Sequence, residues 1–351
     1  MPRSFVDTFR VDLRQMMPFH AFVLAYTAIV LAIAAMYGAL GLNAYIQYVT
    51  QLAPLYFVIL PATLAVAHVA LSILRSGQPP HAALSPGALL GRTVSAATTL
   101  GMLVLFLGSF TTFKGLMPVL AGGFPHDRLL ADIDAFLHGG VDPGPALTAL
   151  VGYPFVLQGL QWNYAVVWTA LTIVPAFFIA VRPEAHAVRL RYFLCFALVW
   201  AVLGNLIAFG LLSAGPIFYA GVTGDAARFG GQMAVLGEHT DSRISAYLWQ
   251  SYVHGTVGIG TGISAFPSVH VGAAMMNALF LRETGRLVGF LAFAYVAVIA
   301  VSAVLLGWHY AIDGYVSILV VWLLHRAVKR LLGARSRIED DVTASPSPAT
   351  P

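Results

Sequence analysis

Two short motifs place histidines beside groups that suit phosphate chemistry. The first is Pro267-Ser268-Val269-His270, in which a proline, a hydroxyl and an imidazole come just before an apolar segment. We expect Pro267 to occupy the first position of a helix, because its missing N–H is not needed there. The free N–H groups that follow, together with the helix dipole, make a site for an anion. The motif therefore predicts an anion site at Ser268 and Val269, with His270 in the same turn.

The second motif is a histidine followed four residues later by an aspartate, His309 and Asp313. Residues four apart are neighbours on one face of a helix. Asp313 can therefore accept the Nδ1–H of His309 and direct Nε2 towards a substrate. This is the arrangement of an activated nucleophile. Each motif alone also occurs by chance, and a histidine at the end of a span can simply lie at the membrane interface.

The elements that must position these residues are membrane-spanning helices. The chain has 351 residues, of which 59% are hydrophobic and 10% are charged, whereas a soluble protein has roughly 25% charged residues. This composition excludes a disordered chain, a disulfide scaffold and an ordinary soluble enzyme. The single cysteine, Cys195, excludes internal disulfides and cysteine-rich metal sites. The sequence predicts an all-α polytopic membrane protein.

Eight apolar segments are candidates for spanning helices, which need about 20 residues each. They are Phe19–Leu42, Leu52–Leu74, Val94–Phe113, Leu160–Ala180, Leu190–Leu212, Ser268–Leu281, Leu287–Leu306 and Tyr310–Leu331, of which the sixth is short. With the N-terminus inside, fifteen of the Lys and Arg residues fall on the inner side and four on the outer side. This bias predicts that both termini are cytoplasmic. Since the basic residues follow the membrane side rather than forming a cluster, nucleic acid is excluded as a partner.

Both histidine motifs then fall on the outer face, which we expect to be the periplasmic face of a bacterial inner membrane. Lys114 joins them at the outer end of the third span, although it can also be explained as a lysine that reaches to the interface. Two long outer segments, 114–159 and 213–267, are predicted to contain interfacial helices at Asp127–His138 and Ser245–Val253. The Ser/Pro-rich tail 333–351 is predicted to be disordered and cytoplasmic.

At these residues the sequence resembles the type-2 phosphatidic acid phosphatase superfamily. Its members have a lysine-led motif, then Pro-Ser-x-His, then a histidine followed four residues later by aspartate. The similarity covers residues 93–332, which implies a six-helix catalytic core, with residues 1–92 as a two-helix addition. In two places this chain departs from the family: no Arg-Pro pair follows Lys114, and Ser302 is followed by Ala303 instead of arginine.

In both departures the chain resembles the subgroup of inositol phosphorylceramide synthase, the aureobasidin target. Four further stretches resemble the same subgroup: Asp132-x-Asp134, Gly140-Val-Asp142-Pro143, Ser213–Tyr219 and Gly307-Trp-His-Tyr310. The resemblance implies a reaction type more firmly than a substrate.

The resemblance implies a phosphotransferase or phosphatase that forms a phosphohistidine and needs no metal or other cofactor. His309, held by Asp313, attacks phosphorus, and His270 protonates the leaving alkoxide and then activates the acceptor. Phosphate would be bound by Lys114, Ser268, Val269 and, in place of the missing arginine, Arg243 or Arg228. A metal site at Glu238-His239-Thr240-Asp241 is disfavoured, because the cluster lacks helical ligand spacing. The expected partners are a phospholipid or polyprenyl-phosphate substrate and the bilayer.

The acceptor remains open. We favour transfer of a phospho-headgroup to a lipid or polyol hydroxyl such as that of inositol, with segment 213–267 excluding water. The enzymatic alternative is a polyprenyl-phosphate, diphosphate or phosphatidate phosphatase that uses water. The non-enzymatic alternative is a lipid transporter, which would keep its function after His309→Ala. A channel is disfavoured, because few ionisable residues lie inside the spans.

Overall fold

The computed structural model describes residues 5–66, 86–182 and 185–344, and within these ranges the chain forms helices and loops without a strand. In chain order the helices are α1 (Phe5–Met36), α2 (Asn43–Val66), α3 (Pro86–Ala121), α4 (Asp127–Leu137), α5 (Pro143–Val151), α6 (Pro154–Val181), α7 (His186–Gly210), α8 (Tyr219–Thr223), α9 (Gly230–His239), α10 (Arg243–Val253), α11 (Val269–Arg282), α12 (Arg286–Leu305) and α13 (Ala311–Ala344). The prediction of an all-α fold is confirmed.

Seven helices in the described ranges are long and apolar enough to cross a membrane: α1, α2, α3, α6, α7, α12 and α13. The sixth predicted span, Ser268–Leu281, is the 14-residue helix α11. At 1.5 Å per residue α11 is about 21 Å long, which is less than the roughly 30 Å of a bilayer core. It is short because residues 264–268 before it are not helical. The end of the second predicted span, 67–74, lies outside the described residues.

Helix α11 lies at the centre of the bundle, packed against α6, α7, α12 and α13. Most of its residues from Val269 to Leu279 are buried. A Cβ atom at Gly272 would collide with Leu203 of α7, so a glycine there permits the close approach of the two helices. The first turn of α11, with His270, is therefore held inside the protein.

The first two helices share the main hydrophobic core with the later ones. Phe19 of α1 and Tyr56 of α2 belong to the same buried cluster as most of α11. Buried hydroxyl pairs fix both helices to α3, with Thr27 Oγ1 at 2.8 Å from Ser109 Oγ and Tyr48 Oη at 2.9 Å from Thr111 Oγ1. A division of the chain at residue 92 stays a prediction.

Helix α4 confirms the helix predicted at Asp127–His138, but its polar face points inwards. Its buried residues are Asp127, Leu130, Ala131 and Asp134, a stripe at helical spacing that contains two carboxylates. Phe136 on another face is 82% exposed. A helix with carboxylates towards the protein and a large aromatic side chain outwards suits an apolar surrounding. The second predicted outer helix is present as α10. The position of α4 and α10 in the membrane interface stays a prediction.

The last helix continues beyond the predicted start of the disordered tail. Helix α13 ends at Ala344, so residues 333–344 are helical. The sequence between Gly333 and Pro346 contains no further glycine or proline that would end a helix. Residues 345–351, with the Ser/Pro-rich composition, lie outside the described residues.

Candidate active site

Three segments of the chain meet at one end of the bundle: 213–217, 264–268 and 307–313. Three backbone hydrogen bonds join them: Ala265 N–H to Ser213 O at 2.8 Å, Ile217 N–H to Gly307 O at 2.8 Å, and Ser268 N–H to Asp313 O at 3.3 Å. The last of these bonds links the start of α11 directly to the first turn of α13. The two predicted motifs are therefore adjacent in space.

His309 and Asp313 form the predicted pair. The imidazole Nδ1 lies 3.1 Å from Asp313 Oδ2, and the backbone N–H of Tyr310 donates to the same oxygen at 3.1 Å. His309 is 6% exposed and Asp313 is fully buried. Since Nδ1 is held by the carboxylate, Nε2 is the nitrogen of His309 that remains for a substrate.

The start of α11 lies two residues later than predicted, at Val269 instead of Pro267. Ser268, not Pro267, forms the boundary, because the Ser268 hydroxyl accepts a hydrogen bond from Val271 N–H at 3.3 Å and caps the helix. Pro267 therefore precedes the helix, and the expectation that it occupies the first helical position is wrong. The remaining N–H groups of the first turn belong to Val269 and His270, and such groups have no partner within a helix. Ser268 and Val269, the residues of the predicted anion site, therefore still lie at the start of the helix.

The two imidazoles face each other across a narrow gap. The ring centroids of His270 and His309 are 6.4 Å apart, and the ring planes are inclined by 60°. A nucleophile approaches to about 3–3.5 Å and a general acid to about 2.6–3.2 Å of the atoms on which they act. Two rings at this centroid separation are near enough for both to contact one phosphoryl group, one ring at phosphorus and the other at the leaving oxygen.

Lys114 lies at the same site. Gly262 packs against its side chain so closely that a Cβ atom there would be 2.7 Å from Lys114 Cγ. Gly262 also has a φ of +90°, a conformation that favours glycine. The ammonium group is close enough to act electrostatically on His270. The structure thus brings Lys114, Ser268, Val269, His270, His309 and Asp313 together.

The structure does not bring the two candidate arginines to this group. Arg228 donates hydrogen bonds to Asp142 at 3.0 Å and to Asp132 at 2.5 Å, and the bonds to Asp142 raise the pKa of its guanidinium. Arg243 is 89% exposed and pairs with Asp241 at 2.6 Å. Neither guanidinium forms a hydrogen bond or ion pair with a histidine of the site in the described part of the chain. Both guanidinium groups are paired with carboxylates here, and the expectation that one of them replaces the missing arginine stays a prediction.

Two carboxylates that the sequence analysis did not assign to the site hold the segment around His309. Asp127 accepts hydrogen bonds from Ala214 N–H at 2.7 Å, Gly215 N–H at 2.9 Å and Tyr310 Oη–H at 2.8 Å. Burial raises the pKa of Asp127, although its hydrogen-bond donors act in the opposite direction. Asp127 therefore ties α4 to segment 213–217 and to the residue after His309.

Asp134 closes the start of α13. Its carboxylate accepts hydrogen bonds from Ala311 N–H at 3.0 Å and Ile312 N–H at 2.9 Å, which are the first N–H groups of that helix. Burial raises the pKa of Asp134, and the two N–H donors oppose the rise. A carboxylate at a helix N-terminus is favoured by the helix dipole. The sequence signals were the helical spacing of Asp127 and Asp134 on one face of α4 and the resemblance of Asp132-x-Asp134 to the synthase subgroup, neither of which gave Asp134 its partner.

Two aromatic residues of α6 complete the surroundings of His270. The rings of Tyr164 and Trp168 lie 4.2 Å and 3.9 Å from the imidazole centroid. The sequence analysis missed both, because aromatic residues four apart in an apolar helix are typical of any buried core. Within the described ranges no three His, Cys, Asp or Glu side chains are grouped to hold a metal ion. That the protein works without metal stays a prediction.

The fold and this site define an integral membrane protein with a pair of histidines, one buried and one partly buried, at two adjacent helix starts. A family model described as the PAP2 superfamily matches residues 128–327, which include both histidine motifs. The chain therefore belongs to the PAP2 superfamily, and this membership supports phosphatase- or phosphotransferase-type activity in general. The match begins after α3, so Lys114 lies outside it. Comparison with curated proteins and with solved structures gave no match.

Proposed function

We propose that the protein is a membrane lipid phosphotransferase that works through a phosphohistidine on His309 and needs no metal or other cofactor. The observation that carries the proposal is the pair of imidazoles 6.4 Å apart, one of them held by a buried carboxylate. A nucleophile and a general acid on opposite sides of a phosphorus-sized gap are what in-line phosphoryl transfer needs.

The first half-reaction makes one bond and breaks one. Nε2 of His309 attacks phosphorus, the bond from phosphorus to the leaving oxygen breaks, and His270 gives its proton to that oxygen. In the second half-reaction the acceptor hydroxyl gives its proton to His270 and attacks phosphorus, and the N–P bond breaks. Asp313 stabilises the positive charge on His309 in both steps. Such acid–base assistance contributes roughly 10²–10⁴-fold in rate.

The phosphoryl charge is met by groups fixed in the fold. Lys114 supplies a cation, Ser268 a hydroxyl, and Val269 an N–H at the positive end of α11. Donors that are already oriented need no rearrangement when charge develops in the transition state. The partial burial of the site strengthens each of these interactions.

Transfer to an alcohol is favoured over hydrolysis by the resemblance of the motifs and not by a cavity. A cavity of about 180 Å³ adjoins Trp308, the neighbour of His309, but neither histidine of the site lines it. The resemblance to inositol phosphorylceramide synthase supports an inositol-phosphate transfer. The alternative is a polyprenyl-phosphate, diphosphate or phosphatidate phosphatase, since the family membership fits it equally well.

The distribution of Lys and Arg supports an orientation with both termini in the cytoplasm and the site at the periplasmic face. A lipid substrate would then enter sideways between spans, with its headgroup at the histidines. The bilayer and this lipid are the proposed partners.

The test is to trap the intermediate. Purified protein is incubated with phosphorus-labelled phospholipids and polyprenyl phosphates, with and without inositol, and then denatured with alkali or with acid. We expect an adduct that acid destroys, and a loss of turnover on the order of 10⁴-fold or more in His309→Ala. The matched control is His254→Ala, which removes an exposed histidine and should leave labelling unchanged. Free phosphate without added alcohol indicates the phosphatase alternative, and unchanged function in His309→Ala indicates a transporter.

A further inference from the structure

Tyr164 lies in an irregular turn of α6 that faces the site. Residues Asn163–Val167 form a π-helical turn, in which Trp168 N–H donates to the carbonyl of Asn163, five residues earlier. π-Helical turns are rare in proteins as a whole, and those that occur are often found at functional sites. Here the turn presents both Tyr164 and Trp168 to His270.

The two aromatic rings enclose the His270 imidazole. The Tyr164 ring is nearly parallel to it, at 12° and 4.2 Å, and the Trp168 ring is inclined by 32° at 3.9 Å. Two rings so close to one centroid would overlap if they shared a face, so they lie on opposite faces. Trp168 Nε1–H also donates to the His270 carbonyl at 2.9 Å. The imidazole is thereby fixed, and only its edge is free to reach a substrate.

The Tyr164 hydroxyl is buried without a hydrogen bond of normal geometry in the described part of the chain. Tyr164 is 6% exposed, and its hydroxyl makes no hydrogen bond of normal geometry with any described residue. It lies close to the Ser268 hydroxyl and the Asp313 carboxylate. Other buried tyrosines are bonded: Tyr56 donates to Ile173 O at 3.1 Å and Tyr310 to Asp127 at 2.8 Å. Because buried polar groups nearly always have partners, a ligand atom is expected at this hydroxyl.

We propose that Tyr164 is a phosphate-binding residue, whose hydroxyl donates to a non-bridging oxygen of the phosphoryl group at the start of α11. This inference rests on the proposed function and adds a residue to it. It also explains how phosphate is held although Ala303 stands where the family has arginine and Arg228 and Arg243 are paired with carboxylates. Because the Tyr164 hydroxyl is neutral, it can bind the anion without adding another positive charge beside His270 and Lys114.

The experiment compares Tyr164→Phe with Tyr56→Phe in purified full-length protein. Phenylalanine keeps the stacked ring and removes the hydroxyl. We expect Tyr164→Phe to lower kcat/KM about 10- to 100-fold and to weaken binding of orthovanadate, an analogue of phosphate. Its melting temperature should be unchanged or higher, since the hydroxyl makes no hydrogen bond of normal geometry with the residues that the structure describes. Tyr56→Phe should do the opposite, with a lower melting temperature and unchanged vanadate binding.

Three outcomes would overturn the assignment in different ways. If wild-type protein binds vanadate and transfers phosphate but Tyr164→Phe does both equally well, the Tyr164 assignment is wrong and the proposed function stands. If wild-type protein neither binds vanadate nor acts on any phospholipid or polyprenyl phosphate tested, the proposed function and the assignment fall together. A fall in melting temperature with unaltered kcat/KM would indicate a structural role only.

Discussion

The starts of α11 and α13 are neighbours at the same site, yet they are chemically different. At α13 the N–H groups of Ala311 and Ile312 are both taken by the Asp134 carboxylate. At α11 a neutral hydroxyl, that of Ser268, caps one N–H, and no carboxylate accepts from this first turn in the described part of the chain. One helix start is therefore closed by an anion of the protein, and the other is left with its positive end open.

This difference separates two tasks. The closed start fixes the backbone around His309, because Asp134, Asp127 and Asp313 all accept hydrogen bonds from residues 310–312. The open start keeps its dipole and free N–H groups for an external anion. The start of α13 therefore holds the nucleophile in place, and the start of α11 binds the phosphate.

Among the changes that test the two helix starts, the largest effect is expected where the closed start meets the nucleophile. Asp313→Asn replaces the carboxylate that accepts from His309 Nδ1, and an amide of the same size does not fix the reactive tautomer. By analogy with buried aspartates that orient a catalytic histidine, we expect kcat to fall about 10³- to 10⁴-fold. Single-turnover labelling of His309 should slow equally. A fall of less than tenfold would mean that Asp313 serves the fold and not the reaction.

The second prediction gives α11 the same kind of cap as α13. Ser268→Asp retains a strong N-cap but places a carboxylate where the phosphate is expected. Activity and vanadate binding should fall about 10²- to 10³-fold, the size seen when an anion-stabilising donor is lost, while the melting temperature stays within a few degrees. The matched control is Ser268→Asn, which loses the same hydroxyl and is of similar size to aspartate but adds no negative charge, so it should retain clearly more activity than Ser268→Asp. Equal losses in both variants would contradict an anion site at this helix start.

The parts of the site that could be predicted from the sequence are those with a local spacing rule. His309 and Asp313 are four residues apart, and helix geometry alone makes them neighbours. The meeting of His270 and His309 followed from the alternation of spans, which places both helix starts on one side. The start of α11 was misplaced by two residues, because proline and serine both favour helix starts and only the bond from Val271 to Ser268 decides between them.

The parts that could not be predicted depend on contacts between distant residues. Asp134 and Ala311 are separated by 177 positions, and Asp127 and Tyr310 by 183. Arg228 seemed available for phosphate because arginine is scarce in the outer segments, but Asp142 lies 86 positions away and takes its guanidinium. Counting charges by membrane side gives orientation but cannot show which charges are already paired.

The third prediction tests the closed start itself, with the smallest expected effect. Asp134→Asn keeps one acceptor oxygen but removes the charge that faces the first N–H groups of α13. We expect His309 to lose some of its fixed position, and kcat to fall about 10- to 100-fold, since displacements on the order of 1 Å can reduce rates about 100-fold. KM should change little, because the open start at α11 is untouched.

The matched control lies two residues earlier on the same helix. Asp132→Asn alters an exposed carboxylate that pairs with Arg228, so it removes the same charge from α4 without touching α13. Its kcat should stay within about twofold of the wild type, since exposed ion pairs contribute only about 0–1 kcal/mol. If Asp132→Asn and Asp134→Asn had the same effect, the total charge of α4 would matter rather than the closure of the helix start. A rise in KM without a change in kcat in Asp134→Asn would place Asp134 with the phosphate instead, and the two starts would then not divide the work.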